Sequence, residues 1–223
     1  GKKVSENGKT LISKTNNEVI NNFHTSIKGP EDFQLSAFGT KVRVIEALDG
    51  QLITPRIEGE ILIRNGFAEP NLEKDILKIT VVNRYHDTPP AVAFIKNFGL
   101  KTGGIASSVG HDSHNIIAVG VDDASICKAV NLLIEAKGGI SAVSGERVEV
   151  LPLPVGGIMS PEDGYHVAKA YTRIDRMAKE MGSRLNSPFM TLSFMALLVI
   201  PDLKLSDKGL FDGKRFEFTE VFL

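Results

Sequence analysis

A single cysteine in 223 residues removes a whole class of answers. Cys127 has no second thiol to join, so neither a disulfide framework nor a thiolate metal cluster can be assembled within one chain. A reducing, cytoplasmic setting is expected. Charge of one sign is also missing. The chain carries 26 Lys and Arg against 27 Asp and Glu, a formal net charge of -1. They are scattered along the sequence, which argues against nucleic acid as a partner. No basic leader with an apolar core opens the sequence, so secretion is not expected. The longest apolar run, Phe189 to Ile200, is too short to cross a bilayer and is interrupted by Thr191 and Ser193.

Familiar phosphate and hydrolase signatures are absent too. Gly8-Lys9-Thr10 suggests a phosphate-binding loop, but the glycine required five positions before Gly8 is replaced by Lys3. Gly99, Gly103 and Gly104 do not have dinucleotide-binding spacing before a helix. Ser107 and Ser108 lack the flanking glycines of a nucleophile elbow. There is no eightfold strand-helix alternation, and hence no TIM barrel.

What the sequence does contain is one dense polar segment. Ser107-Ser108-Val109-Gly110-His111-Asp112-Ser113-His114-Asn115 lies between the apolar runs Gly103 to Ala106 and Ile116 to Val121. A strand-turn-strand unit of this kind presents its polar side chains at a sheet end, where sites are commonly built. His111 and His114 are three apart. On a helix they would share a face, on a straight strand they would point to opposite sides, and on a turn either ring can converge on a ligand or bond to nearby backbone. The simpler reading has Asp112, Ser113 and Asn115 satisfying orphan backbone groups in a tight turn. The remaining histidines offer little. His166 falls on a helix, His24 in a polar arm and His86 in a turn beside Arg84 and Asp87.

The organisation around that segment is legible. Gly1 to Val4 reads as half a strand leading into a turn at Asn7-Gly8. Because no initiator methionine opens it, the chain is expected to be a piece of a longer polypeptide. Residues 10–40 read as a polar linker arm with isolated apolar residues such as Val19, Ile20 and Phe23. From Lys41, short β-branched runs at 42–47, 57–63 and 76–82 are divided by Asp49-Gly50, Asn65-Gly66 and Pro70-Asn71, which predicts a meander of strands. Ala91 to Phe98 fits a strand or a short helix, and strands are expected at 103–108 and 116–121.

A helix capped by Asp122 or Asp123 follows, with Ile126, Ala129, Val130, Leu133 and Ile134 as its apolar stripe and Gly138-Gly139 as its stop. Strands at 140–143 and 148–153 join at Ser144-Gly145. A second helix is predicted with Ser160 as N-cap, Pro161 at its first position and Gly182 as its end. Its stripe of Val167, Ala170, Tyr171, Ile174, Met177, Ala178 and Met181 should pack on the sheet. Phe189 to Leu198 is read as a short buried helix, and Phe216 to Val221 as a closing strand with one wet face. The whole predicts a layered α/β (α+β) domain: a mixed, largely antiparallel sheet covered by a few helices.

Gly104-Ile105-Ala106-Ser107-Ser108 running into His111-Asp112-Ser113-His114-Asn115-Ile116-Ile117 resembles the hallmark segment near the end of adenine deaminases of the amidohydrolase superfamily. Further stretches resemble the same family in the same order: Ala129-Val130-Asn131 with Gly138-Gly139; Leu151-Pro152-Leu153-Pro154 with Gly156 and Met159-Ser160; and Pro188-Phe189 through Val199-Ile200-Pro201 to Gly209-Leu210. Leu198 departs from the pattern where proline is expected, and Gly110 where Ala or Ser is usual.

The resemblance implies the carboxy-terminal domain of such an enzyme over residues 41–223, with 1–9 as the end of a preceding small β-domain. It implies hydrolysis of adenine to hypoxanthine and ammonia, with manganese or iron held by an amidohydrolase barrel that is not part of this chain. The intact enzyme is expected to be a homo-oligomer acting in adenine catabolism. His111, Asp112 and His114 would border or support the catalytic pocket, and Ser107, Ser113 and Asn115 would meet substrate. No metal is expected within this chain, which alone should be inactive. The rival readings are a non-catalytic module that pairs subunits or steadies the barrel, and an autonomous metal hydrolase, which would need a third ligand near the two histidines.

Overall fold

The computed structural model describes residues 1–13 and 18–223. Its elements, in chain order, begin with β1 (Ser5–Glu6), β2 (Lys9–Thr10), β3 (Lys41–Glu46), β4 (Arg56–Glu60), β5 (Leu62–Arg64), β6 (Phe67–Glu69), β7 (Ile76–Val82) and β8 (Ala91–Lys96). They continue with β9 (Gly104–Ser107), β10 (Ile116–Gly120), α1 (Asp123–Glu135), β11 (Gly139–Ser144), β12 (Arg147–Pro152), α2 (Gly164–Glu180), α3 (Pro188–Ser193), β13 (Leu203–Ser206), β14 (Gly209–Asp212) and β15 (Glu217–Phe218).

Eight strands form one sheet in the order β12-β11-β9-β10-β7-β8-β3-β4. Only β3 and β8 run parallel; every other neighbouring pair is antiparallel. The sheet is layered between helices and is not a closed barrel, as the patterning predicts. The 91–98 run is a strand, because its alternate residues Ala93 and Ile95 face one core while Phe94 fills another.

Burial on both faces explains why the central strands read as continuous apolar runs. On one face Leu77, Ile79, Val81, Ile105, Ile117 and Val119 meet Ile174, Met177 and Ala178 of α2, Phe189 and Leu192 of α3, and Leu203 and Leu205 of β13. On the other face Val82, Ala106, Ile116 and Ala118 pack against Ile126, Ala129, Val130 and Leu133 of α1. No helix among the described residues is long and apolar enough to cross a membrane.

Several local expectations need correction. The cap of α2 is Asp163, whose carboxylate accepts from the amides of Tyr165 and His166 at 3.0 Å each. Ser160 caps nothing longer than a bend, accepting from Glu162 N at 3.1 Å. A carboxylate can take two amides and favours the positive helix end, so it outcompetes the upstream hydroxyl. The second helix therefore starts later than Pro161 suggests. The 189–198 run holds α3 within 188–193, a short buried helix as read from the sequence. The closing strand shrinks to two residues, with Phe216 and Phe218 both stacked edge-on against Phe211 at 5.3 Å.

The polar arm also does more than bridge. Phe23 and Phe33 are buried in the α1-side core. Asp87 gathers Lys28 Nζ and Ser26 Oγ, bonds that hold its carboxyl down at about 2. Asn131 on α1 accepts from Lys28 N and donates to Lys28 O, both at 2.9 Å. Cys127 donates its thiol to the same carbonyl. Burial raises that thiol's pKa, the pattern of an inert, structural cysteine.

Candidate functional site

One end of the large sheet collects the polar loops. β7 ends and β8 begins there, and so do the end of β9, the starts of β10 and β11 and the end of β12. The register places Ile116 opposite Val82, Ser107 opposite both Ile117 and Ile140, and Gly139 opposite Pro152. Residues 108–115 form the β9–β10 connection, 83–90 the β7–β8 connection, and 153–159 the exit from β12.

The base of the β9–β10 loop is knitted from within. Ser107 Oγ accepts from Val109 N at 3.0 Å. Fully buried Ser108 donates through Oγ to Gly157 O at 2.6 Å, and the same oxygen accepts from Gly139 N at 2.7 Å. Gly110 packs close to Ile117, whose Cδ1 would lie 2.7 Å from a Cβ added there, so the Ala or Ser usual at this position needs a small shift of that side chain. Asn115, also buried, accepts from Arg84 N through Oδ1 at 3.2 Å. Ser107 and Asn115, expected to meet substrate, thus each have a side-chain oxygen engaged by backbone. Ser113 and Asp112 are exposed at the tip.

The two imidazoles are held differently. His111 is fixed by its amide, which donates to Ser193 O at 2.9 Å. Its ring stacks on Phe194 with centroids 4.6 Å apart and planes at 29°. His114 sits in the left-handed region at φ 52°, closed by its amide donating to Gly110 O at 2.7 Å. Its Nδ1 is buried with no hydrogen-bond partner among the described residues. Burial, then the charge of Arg84 and then that of His111, push its pKa below the ordinary 6.5, with Asp112 opposing. The ring is therefore neutral at pH 7, with one donor and one acceptor nitrogen.

The rings lie 6.3 Å apart at 61°. One ion bound tetrahedrally by both would draw their centroids to roughly 5 Å, given metal–nitrogen bonds of about 2.1 Å. Among the described residues no group of three or more His, Cys, Asp or Glu could hold a metal. This donor set does not fit a metal centre. His24, His86 and His166 are exposed and distant in sequence from the loop.

The sequence reading missed Arg84 and Tyr85. Arg84 is 5% exposed and forms no ion pair among the described residues. Its Nη1 donates to Gly156 O at 2.7 Å and its Nη2 to Tyr85 Oη at 2.9 Å. Tyr85 in turn donates to Ser113 O at 2.8 Å. The guanidinium lies 4.7 Å from the Tyr85 ring and 5.8 Å from that of Phe23. Gly157 has no room for a side chain, since a Cβ would come within 1.8 Å of Arg84 Nη1. The available signal was a polar Asn-Arg-Tyr run directly after a fully buried strand.

Segments bonded to this cluster also carry exposed apolar side chains. Ile20, whose carbonyl accepts from Gly156 N, is 74% exposed; Met159 is 54% and Met190 55% exposed.

Comparison with known proteins agrees with the pattern of motifs. Residues 51–217 match the family described as adenine deaminase C-terminal domain. The chain is 56% identical over 222 residues to an adenine deaminase of Sulfurovum sp. (strain NBC37-1), covering 99% of this chain and 40% of that protein. It is 48% identical to an adenine deaminase of Salinibacter ruber, covering all of this chain and 41% of the relative. Against an adenine deaminase of Borreliella burgdorferi the identity is 43%, with 99% and 40% covered. The chain thus spans about two fifths of the length of the curated relatives it matches.

Proposed function

The chain belongs to the adenine deaminase C-terminal domain family, and from that premise we propose that it works as the carboxy-terminal part of an adenine deaminase, placing its His111–Asn115 loop beside the purine pocket. The reaction is hydrolytic: adenine and water give hypoxanthine and ammonia. The polypeptide beyond this chain, an amidohydrolase barrel, supplies the metal ligands, for manganese or iron. The intact enzyme acts as a homo-oligomer in the cytoplasm.

The observation that carries this reading is the pairing of two imidazoles on one pinned loop, beside which no third metal ligand is grouped among the described residues. Such a loop can bind and orient a substrate, although it cannot hold a catalytic ion. His114, neutral and partly sheltered, can donate to or accept from a purine edge without a charge to desolvate. His111, backed by Phe194, presents a flat face on which a purine ring can stack. Asp112 and Ser113 stand at the exposed tip, where they can meet the substrate or the barrel.

A second reading has its own support. Ser107, Ser108 and Asn115 all bond inward, as they would in a loop that only steadies a neighbouring domain or pairs subunits. His111→Ala in the full-length protein separates the two. The pocket reading expects a loss of turnover of about tenfold or more, the worth of a stacking contact plus orientation. Melting temperature and subunit assembly should stay unchanged. Unimpaired turnover, or loss of folding or assembly together with activity, favours the module.

A further inference from the structure

Resting on the reading that the His111–Asn115 loop meets the purine pocket, we propose that Arg84 and Tyr85 are positioning residues for the deaminase reaction, locking the loop in its working geometry from behind.

The geometry is that of a keystone. Arg84 touches three separate stretches of chain. Its backbone amide donates to Asn115 Oδ1 at the far end of the loop. Its carbonyl accepts from His24 N at 2.7 Å and Thr25 N at 3.2 Å of the arm. Its guanidinium binds Gly156 O of the β12 exit. That same turn accepts Ser108 Oγ at the loop's near end. Tyr85 Oη completes the circuit by receiving Arg84 Nη2 and donating to Ser113 O, between the two histidines. Both ends and the middle of the loop are therefore tied to one residue pair.

The chemistry requires an arginine. A planar fork can reach a carbonyl and a phenol at once while stacking between Phe23 and Tyr85, which a lysine ammonium cannot reproduce. Burying a cation with no carboxylate partner is costly, and apolar packing alone would not require it. The charge has a second consequence at the loop: Arg84 and His111 both oppose protonation of His114, and Asp112 favours it. Arg84 thus fixes where the histidines stand and helps to keep one of them neutral.

The test uses the full-length enzyme, adenine as substrate, and Tyr85→Phe, which removes one oxygen from the circuit and leaves the ring that stacks on Arg84. The expected result is a fall in kcat of about tenfold, from the loss of two bonds: the charge-assisted one that Tyr85 Oη receives from Arg84 and the neutral one it donates to Ser113 O. KM should change less than about threefold, and the melting temperature should fall by only a few degrees, the cost of the lost hydrogen bonds themselves. Arg84→Lys, which keeps the charge that opposes His114 protonation but loses the planar fork, should lower kcat at least as far and leave the acid limb of the pH profile in place. Full activity in Tyr85→Phe while His111 or His114 variants are impaired overturns the positioning role and leaves the loop reading intact. Full activity in all of these variants overturns the loop reading, and the inference with it. A Tyr85→Phe enzyme whose kcat falls only in step with its melting temperature marks a structural role and overturns the inference.

Discussion

In the full-length enzyme, His114→Asn is expected to lower kcat on adenine by about 10²-fold, the scale of loss when a hydrogen bond that orients the substrate is misplaced. The melting temperature should change little. Asparagine is the informative replacement because residue 114 occupies the left-handed region at φ 52°, which Asn tolerates and Ala does not. The amide bond to Gly110 O is a backbone contact and survives the change. A loss of activity in this variant therefore reports on the imidazole.

The pH behaviour supplies a second signature. In the fold the His114 pKa lies below its ordinary 6.5, so the unfolded chain binds the proton more readily. The neutral ring's contribution to stability is fully present above about 6.5 and fades as pH falls toward the lowered value. Asn does not titrate, so that slope should disappear from the variant. Wild-type turnover with an unchanged pH slope would remove His114 from the site.

The second large effect concerns the platform under the loop. Lys78 lies fully buried in the middle of β7, with its Nζ donating to Asp123 at the start of α1 and to Phe33 O at 3.3 Å. Burial raises the Asp123 carboxyl's pKa, and the nearby ammonium only partly opposes this. The pair is thus a costly internal feature whose two halves need each other. Asp123→Ala strands a buried ammonium, which typically costs about 3–5 kcal/mol. Glu69, near enough for its carboxyl to feel the charge of the same lysine, softens the loss toward about 3 kcal/mol. The expected fall in melting temperature is roughly 6–12 °C for a chain of this size.

Adding Lys78→Met to Asp123→Ala should recover most of that loss, because a buried ion pair is commonly no better than an apolar pair of similar volume. The measurement is a double-mutant cycle by thermal unfolding. A single variant as stable as the wild type would show that the pair is solvated.

Hydrophobic periodicity made the sheet and α1 legible. Ile126, Ala129, Val130 and Leu133 repeat at helical spacing, Asp122 supplies the cap, and all four apolar residues are buried. Local signals failed where two caps competed. Ser160-Pro161 is a strong start on paper, but Asp163 takes the helix because its carboxylate serves two amides. They failed again at Phe23 and Phe33, whose burial depends on distant partners such as Ile126, Ala129, Val130 and Leu133 of α1. Isolated apolar residues in a polar stretch carry no period to read.

The site was legible in the same uneven way. His111, Asp112, Ser113 and His114 do share one loop, because the polar segment is continuous in sequence. Arg84 and Tyr85 reach that loop through β7–β10 pairing, a contact across about 30 residues that no local pattern announces. For Asn115 the turn reading, a side chain satisfying a backbone group, is the one the geometry matches, whereas the substrate role came from the family resemblance. Its carbonyl is taken by Arg84 N.

In the proposed function this polypeptide lends a histidine loop to a catalytic body it does not itself contain. The direct test is to purify these 223 residues in folded form, saturate them with manganese or iron, and measure metal retained after desalting alongside adenine deamination. Neither a tightly held ion nor turnover is expected from this chain, and both are expected from the full-length enzyme. Stoichiometric metal with matching deamination by this chain alone would contradict that proposal.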